Sequence, residues 1–166
     1  MNNEVHSKQY ERLMLLTEME KKFDDGNENY FIDLLAHPDS VIRTRAVCIL
    51  ADIASENAVV QISHVVKADK NALVRHEAAF SLGQLGFASA INALSDAVSS
   101  DPSSFVRHEA AIALGVIGSE KARKALDSAL DDKSTEVRES ATIALANLDY
   151  IFTVKRNNRF TKMTGG

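Results

Sequence analysis

The chain has 166 residues, 45% of them apolar, with no tryptophan, two prolines and seven glycines, a balance that suits one packed, helix-rich domain. Its single cysteine excludes an internal disulfide framework and fits a reducing compartment. The net charge of −4 argues against a nucleic-acid platform, and no apolar run is long enough to span a membrane.

The opening stretch, MNNEVHSKQYERLMLL, is charged where a signal peptide needs an apolar segment, so a cytoplasmic location is expected. From there the pattern predicts a single domain over residues 1–150. Residues 6–23 form an extra N-terminal helix capping a stack of helix pairs over residues 28–148. The remainder, 151–166, carries Lys155, Arg156, Arg159 and Lys162 with no acid and reads as a flexible basic tail.

Between these ends the sequence repeats. Aligned on an arginine, four units appear: VIRTRAVCILADIA, LVRHEAAFSLGQLG, FVRHEAAIALGVIG and EVRESATIALANLD. The arginines are Arg43, Arg75, Arg107 and Arg138, and Asp39, Asp69, Asp101 and Asp132 recur before them. A repeat of about 32 residues signals a solenoid of helix pairs. In the second helix of each unit, Ile42, Ala46 and Leu50 recur as Val74, Ala78 and Leu82, as Val106, Ala110 and Leu114, and as Val137, Ala141 and Leu145. Spacing of i, i+4, i+8 makes one buried stripe. The first helices are shorter, around Tyr30–Leu35, Val59–Val66, Ala90–Val98 and Lys121–Leu130. The fold expected is an all-α, right-handed solenoid of about four pairs plus the capping helix. Its repeat pattern resembles HEAT-like repeats, especially the short kind of phycobilisome-lyase relatives.

Packing explains most of each unit but not the His-Glu pairs, His76-Glu77 and His108-Glu109, which the flanking units lack. His76 lies two residues past Val74, about 200° away on the helical wheel, and His108 does the same past Val106, so both leave the core side. Stacked helices are ~8–10 Å apart, which lets imidazoles of neighbouring repeats lean onto one ion, with Glu109 as an oxygen ligand. Two histidines and a carboxylate suit iron with open positions. One turn on, Cys48, Phe80, Ile112 and Ile143 form an apolar line along the same groove, which calls for something packed upon it. Gly83 and Gly115 are expected to clear side chains from that face. Arg75 and Arg107 are expected to bridge to Asp69 and Asp101, or to neighbouring carbonyls. Duplication of the pair by simple repeat copying, without chemistry, stands as the alternative.

The segment from His76 to Gly118 closely resembles one half of deoxyhypusine hydroxylase, a HEAT-repeat di-iron oxygenase family, through its His-Glu pairs followed by Leu82-Gly83-Gln84 and Ala113-Leu114-Gly115. The family has four such pairs in one longer chain; this chain has two. The resemblance implies that His76, His108 and Glu109 ligate one iron, that Glu77 lies near the reacting oxygen or substrate as a catalytic group, and that a homodimer completes the set. O₂ is then the co-substrate, and the substrate is either a small molecule or a protein lysine derivative. The rival readings are a non-catalytic adaptor that binds a protein in the groove and a lyase-like chaperone of a chromophore protein. No CxxC, glycine-rich phosphate loop or nucleophile elbow points to other chemistry.

Overall fold

The computed structural model describes residues 2–156. Those residues form nine α-helices: α1 (Asn2–Asp24), α2 (Glu28–Leu34), α3 (Ser40–Ile53), α4 (Val59–Ala68), α5 (Ala72–Leu85), α6 (Ile91–Ser100), α7 (Ser104–Ile117), α8 (Arg123–Ala129) and α9 (Thr135–Arg156). The architecture is the all-α solenoid expected: α2–α3, α4–α5, α6–α7 and α8–α9 are antiparallel pairs, and α1 packs on α3. One layer is α3, α5, α7 and α9; the other is α4, α6 and α8 with α2 beside α3. Helix α9 runs to Arg156, past the boundary expected at residue 150. The rest of the tail, 157–166, lies outside the described residues.

The repeat stripe is the core. Ile42, Ala46, Leu50, Val74, Ala78, Leu82, Val106, Ala110 and Leu114 are fully buried, opposite Ile62, Leu94 and Leu126 of the other layer. Leu145 is only partly buried, because no further pair among the described residues stacks beyond α9. Side chains supplied by the sequence secure the turns before the second helices. The Asp39 and Asn71 side chains accept from the backbone of Val41 and Leu73, and Asp69, Asp101 and Asp132 accept from Asn71, Ser103 and Ser134 one turn earlier.

The glycines act only partly as expected. Gly83 and Gly115 are buried at helix contacts, and of the two Gly115 also lines the groove beside Ile112, as expected. A Cβ on Gly83 would stand 2.9 Å from Cβ of Ala113, and one on Gly115 would stand 2.8 Å from Cβ of Ala144. Their role is to let α5 meet α7, and α7 meet α9, nearly backbone to backbone. At the equivalent α3–α5 contact Ala51 stands in the glycine position and Ser81 in that of Ala113, fully buried, with its hydroxyl donating to the Val47 carbonyl at 3.1 Å.

The repeated arginines also pair differently. Arg43 Nε donates to Asp69 at 2.6 Å, Arg75 to Asp101 at 2.7 Å and Arg107 to Asp132 at 2.7 Å, so each bridges forward to the next unit, not back to its own aspartate. A second nitrogen makes each pair bidentate, at 2.9, 3.0 and 2.8 Å. The expected carbonyl contacts are present as well: Arg75 and Arg107 donate to the backbone of Asp69 and Asp101 at 2.8 and 2.9 Å. Arg12 of α1 takes the same part toward Asp39, at 2.6 Å. Burial pushes the carboxyl of Asp69 up, but the Arg43 hydrogen bond and the Asn71 N–H outweigh it and hold it below the usual range. At Asp132 the Arg107 hydrogen bond dominates and acts in the same direction.

Candidate metal centre and groove

The faces of α3, α5, α7 and α9 that turn away from the other layer carry three parallel rows. The first turns present exposed Val41, Leu73 and Phe105. The next position carries the His-Glu pairs. One turn further come half-buried Cys48 and exposed Phe80, Ile112 and Ile143, as the sequence implies. A polar row is therefore flanked by two apolar ones. Near α9 the apolar side widens into a trough of about 700 Å³ between α7 and α9, lined by Ile112, Val116, Ile143, Ala144 and Tyr150, with His108 and Ser140 at its edge.

Within the polar row, contacts run diagonally from one unit to the next. His76 Nε2 lies 3.4 Å from Glu109 Oε2, and the Glu109 side chain is only 10% exposed. On the other side of the ring, His76 Nδ1 lies 3.5 Å from Glu77 Oε1 and, being buried, has no hydrogen-bond partner among the described residues. Glu77 in turn accepts from the Cys48 thiol at 3.5 Å. Burial and then the charge of Glu77 push that thiol up to about 11, so it stays protonated at neutral pH. Phe105 lies flat on the His76 imidazole, with ring centroids 3.8 Å apart and planes within 2°. His108 takes a separate place: its Nδ1 is 2.7 Å from the Ser140 hydroxyl and 3.4 Å from the Glu136 carbonyl.

The structure thus brings His76, Glu77 and Glu109 together and sets His108 against α9. Among the described residues no three His, Cys, Asp or Glu side chains stand close enough to hold a metal ion as they lie. By type the donor set still suits a ferrous ion, with two imidazoles and a carboxylate that is nearly dry. Phe105 and Ser140 were not singled out from the sequence. The signal for both was the register, since Phe105 falls 29 residues after His76 and Ser140 stands where the preceding unit has Glu109.

A family model for HEAT repeats matches residues 61–146. The chain belongs to the HEAT-repeat family. Among solved structures, human deoxyhypusine hydroxylase superposes with a TM-score of 0.68 at 31% identity, covering 75% of this chain and 44% of that one. A phycocyanin lyase complex from Nostoc gives a TM-score of 0.67 at 21% identity, covering 78% of this HEAT chain and 56% of the other, a likeness of fold alone. An engineered protein matches at a TM-score of 0.56 and 26% identity, over 76% of this chain and 65% of its own. The HEAT chain therefore spans less than half of the hydroxylase and just over half of the lyase chain. No curated protein matches its sequence. Among the described residues no helix is long and apolar enough to cross a membrane.

Proposed function

We propose that the protein is a homodimeric non-haem iron protein that activates O₂ and hydroxylates or otherwise oxidises a substrate, each chain holding one iron on His76, His108 and Glu109. The observation that carries this reading is the nearly dry Glu109 carboxylate facing His76 Nε2. A carboxylate held away from water is costly, and a cation bound between Glu109 and His76 Nε2 offsets that cost. The likeness to deoxyhypusine hydroxylase over 75% of this chain supports the same assignment.

Bound iron would supply the reducing power and open coordination positions for O₂. The remaining work falls to the chain. Phe105 covers one face of the His76 ring and keeps water off it. Glu77, held by the protonated Cys48 thiol at Oε2, stands 3.5 Å from the Nδ1 edge of His76 as the carboxylate that exchanges a proton with the reacting group. The trough along Ile112, Val116, Ile143 and Tyr150 leads to His108 and offers an apolar approach for a small molecule or a modified lysine side chain.

Two arguments support the dimer. One chain matches 44% of the hydroxylase, so two copies restore nearly its whole length. Phe80, Ile112 and Ile143 leave an apolar row in water that a second copy across a two-fold axis would cover. The same exposed row favours a second reading, a scaffold whose groove seats a partner protein and uses no metal.

Iron analysis of untagged protein loaded anaerobically with ferrous ion, alongside His108→Ala and with mass from light scattering, separates the two. About one iron per chain, lost in the variant, in a particle of two chains is expected. Iron absent from the wild type, or retained equally by His108→Ala, overturns the metal assignment. A monomer overturns the dimer.

A further inference from the structure

Ser140 occupies in α9 the position that Glu109 holds in α7 and Glu77 in α5, yet it is a serine, nearly fully buried. Its hydroxyl donates to the Glu136 carbonyl of its own helix at 2.8 Å and stands 2.7 Å from His108 Nδ1. A hydroxyl has one proton and two lone pairs. With that proton committed to the carbonyl, the serine oxygen faces His108 as an acceptor, and Nδ1 must carry the hydrogen. The Glu136 carbonyl, 3.4 Å from the same nitrogen, can only accept and so agrees with that polarity, but at that length it is too weak to hold the hydrogen without the serine. In a neutral imidazole with Nδ1 protonated, the lone pair resides on Nε2.

We infer that Ser140 is a positioning residue that holds His108 as the Nδ1–H tautomer and leaves Nε2 as the free donor atom at the edge of the trough. The use of that atom as a metal ligand rests on the function proposed above; the tautomer itself does not. The two repeated histidines are consequently unlike. His76 lies between two carboxylates with Nδ1 unpartnered, whereas His108 is pinned through Nδ1 by a hydroxyl and a carbonyl from the following unit. Fixing the tautomer through the nitrogen that does not ligate is how outer groups orient metal-binding histidines, and losing such a group weakens affinity by roughly 10–100-fold.

The test is ¹⁵N NMR of histidine-labelled, metal-free full-length protein at about pH 8.5, where an ordinary imidazole is neutral. His108 in the wild type is expected to show a protonated Nδ1 and an unprotonated Nε2. Ser140→Ala should convert it to a mixture of tautomers, and Ser140→Thr, which keeps the hydroxyl, should restore the single form. Titration with zinc as a redox-inert probe should then show roughly 10–100-fold weaker binding for Ser140→Ala and near-normal binding for Ser140→Thr. A wild-type His108 protonated at Nε2, or a tautomer unchanged in Ser140→Ala, overturns the inference whatever the metal result. A tautomer that shifts as expected in a protein that binds neither iron nor zinc would uphold Ser140 as the positioning group and defeat the metal reading instead.

Discussion

Along one edge of the stack, Arg43, Arg75 and Arg107 each meet the aspartate of the next repeat at 2.6–2.7 Å in paired hydrogen bonds. One residue further along the same helices, His76 stands 3.4–3.5 Å from two carboxylates, has a buried nitrogen without a partner, and gives way to Thr44 and Glu139 in the outer units. The first row is regular and satisfied, as expected of groups that hold units together. The second is irregular and unsatisfied, as expected where stability yields to binding. Adjacent residues repeated with the same period are therefore unlike, and completeness of pairing tells them apart.

The contrast is broken most strongly by removing one rung of the arginine row. Arg107→Ala leaves Asp132 without its partner at a nearly buried site and should destabilise the fold by about 3–5 kcal/mol, read from urea unfolding. Acid loosens several rungs together. Asp39, Asp69 and Asp132 have folded carboxyls held below the ordinary range, so between the folded and unfolded pKa values the unfolded chain binds the extra protons. Their contribution is complete above the unfolded value near pH 4 and is lost as pH falls through the folded values. The melting temperature of the metal-free protein should accordingly drop as pH is lowered from about 5 to 3, and Asp132→Asn should make that drop shallower. The smallest effect belongs to the other row. Glu109→Gln in metal-free protein removes a charge that lacks a strong partner and should leave unfolding stability within about 1 kcal/mol of wild type, or raise it. A loss as large as that of Arg107→Ala would erase the distinction between the rows.

Whatever repeats within one helix was legible in the sequence. The stripe from Val74 to Leu82, its copies, and the placement of His76, His108 and Phe80 away from the core all follow from 3.6-residue periodicity. Contacts between units were not legible to the same degree. Arg75 lies six residues after Asp69 and twenty-six before Asp101, and chain proximity favours the wrong partner, because only stacking of α5 on α7 carries the guanidinium forward. Gly83 and Gly115 follow Phe80 and Ile112 by three residues, a spacing that points to the groove but does not reveal the helix contact behind it. They lie four residues after buried Ala79 and Ala111, and the pinch against Ala113 and Ala144 is set by the next helix. The stacking of Phe105 on His76 and the grip of Ser140 on His108 are of the same kind, visible only once adjacent units are in register.

The forward reach of the arginines also gives the stack a reading direction. Each of the four units offers an aspartate to the element before it, the first three offer an arginine to the unit after them, and Arg12 of α1 supplies the donor for the first aspartate. Such a connector works like a plug and socket. A central unit copied whole and inserted beside itself would find both of its complements waiting, whereas the same unit inserted in reverse would find neither. The chain is thus organised as a modular part, able to lengthen by whole units without redesign of its joints, while the His-Glu pairs stay confined to two of the units.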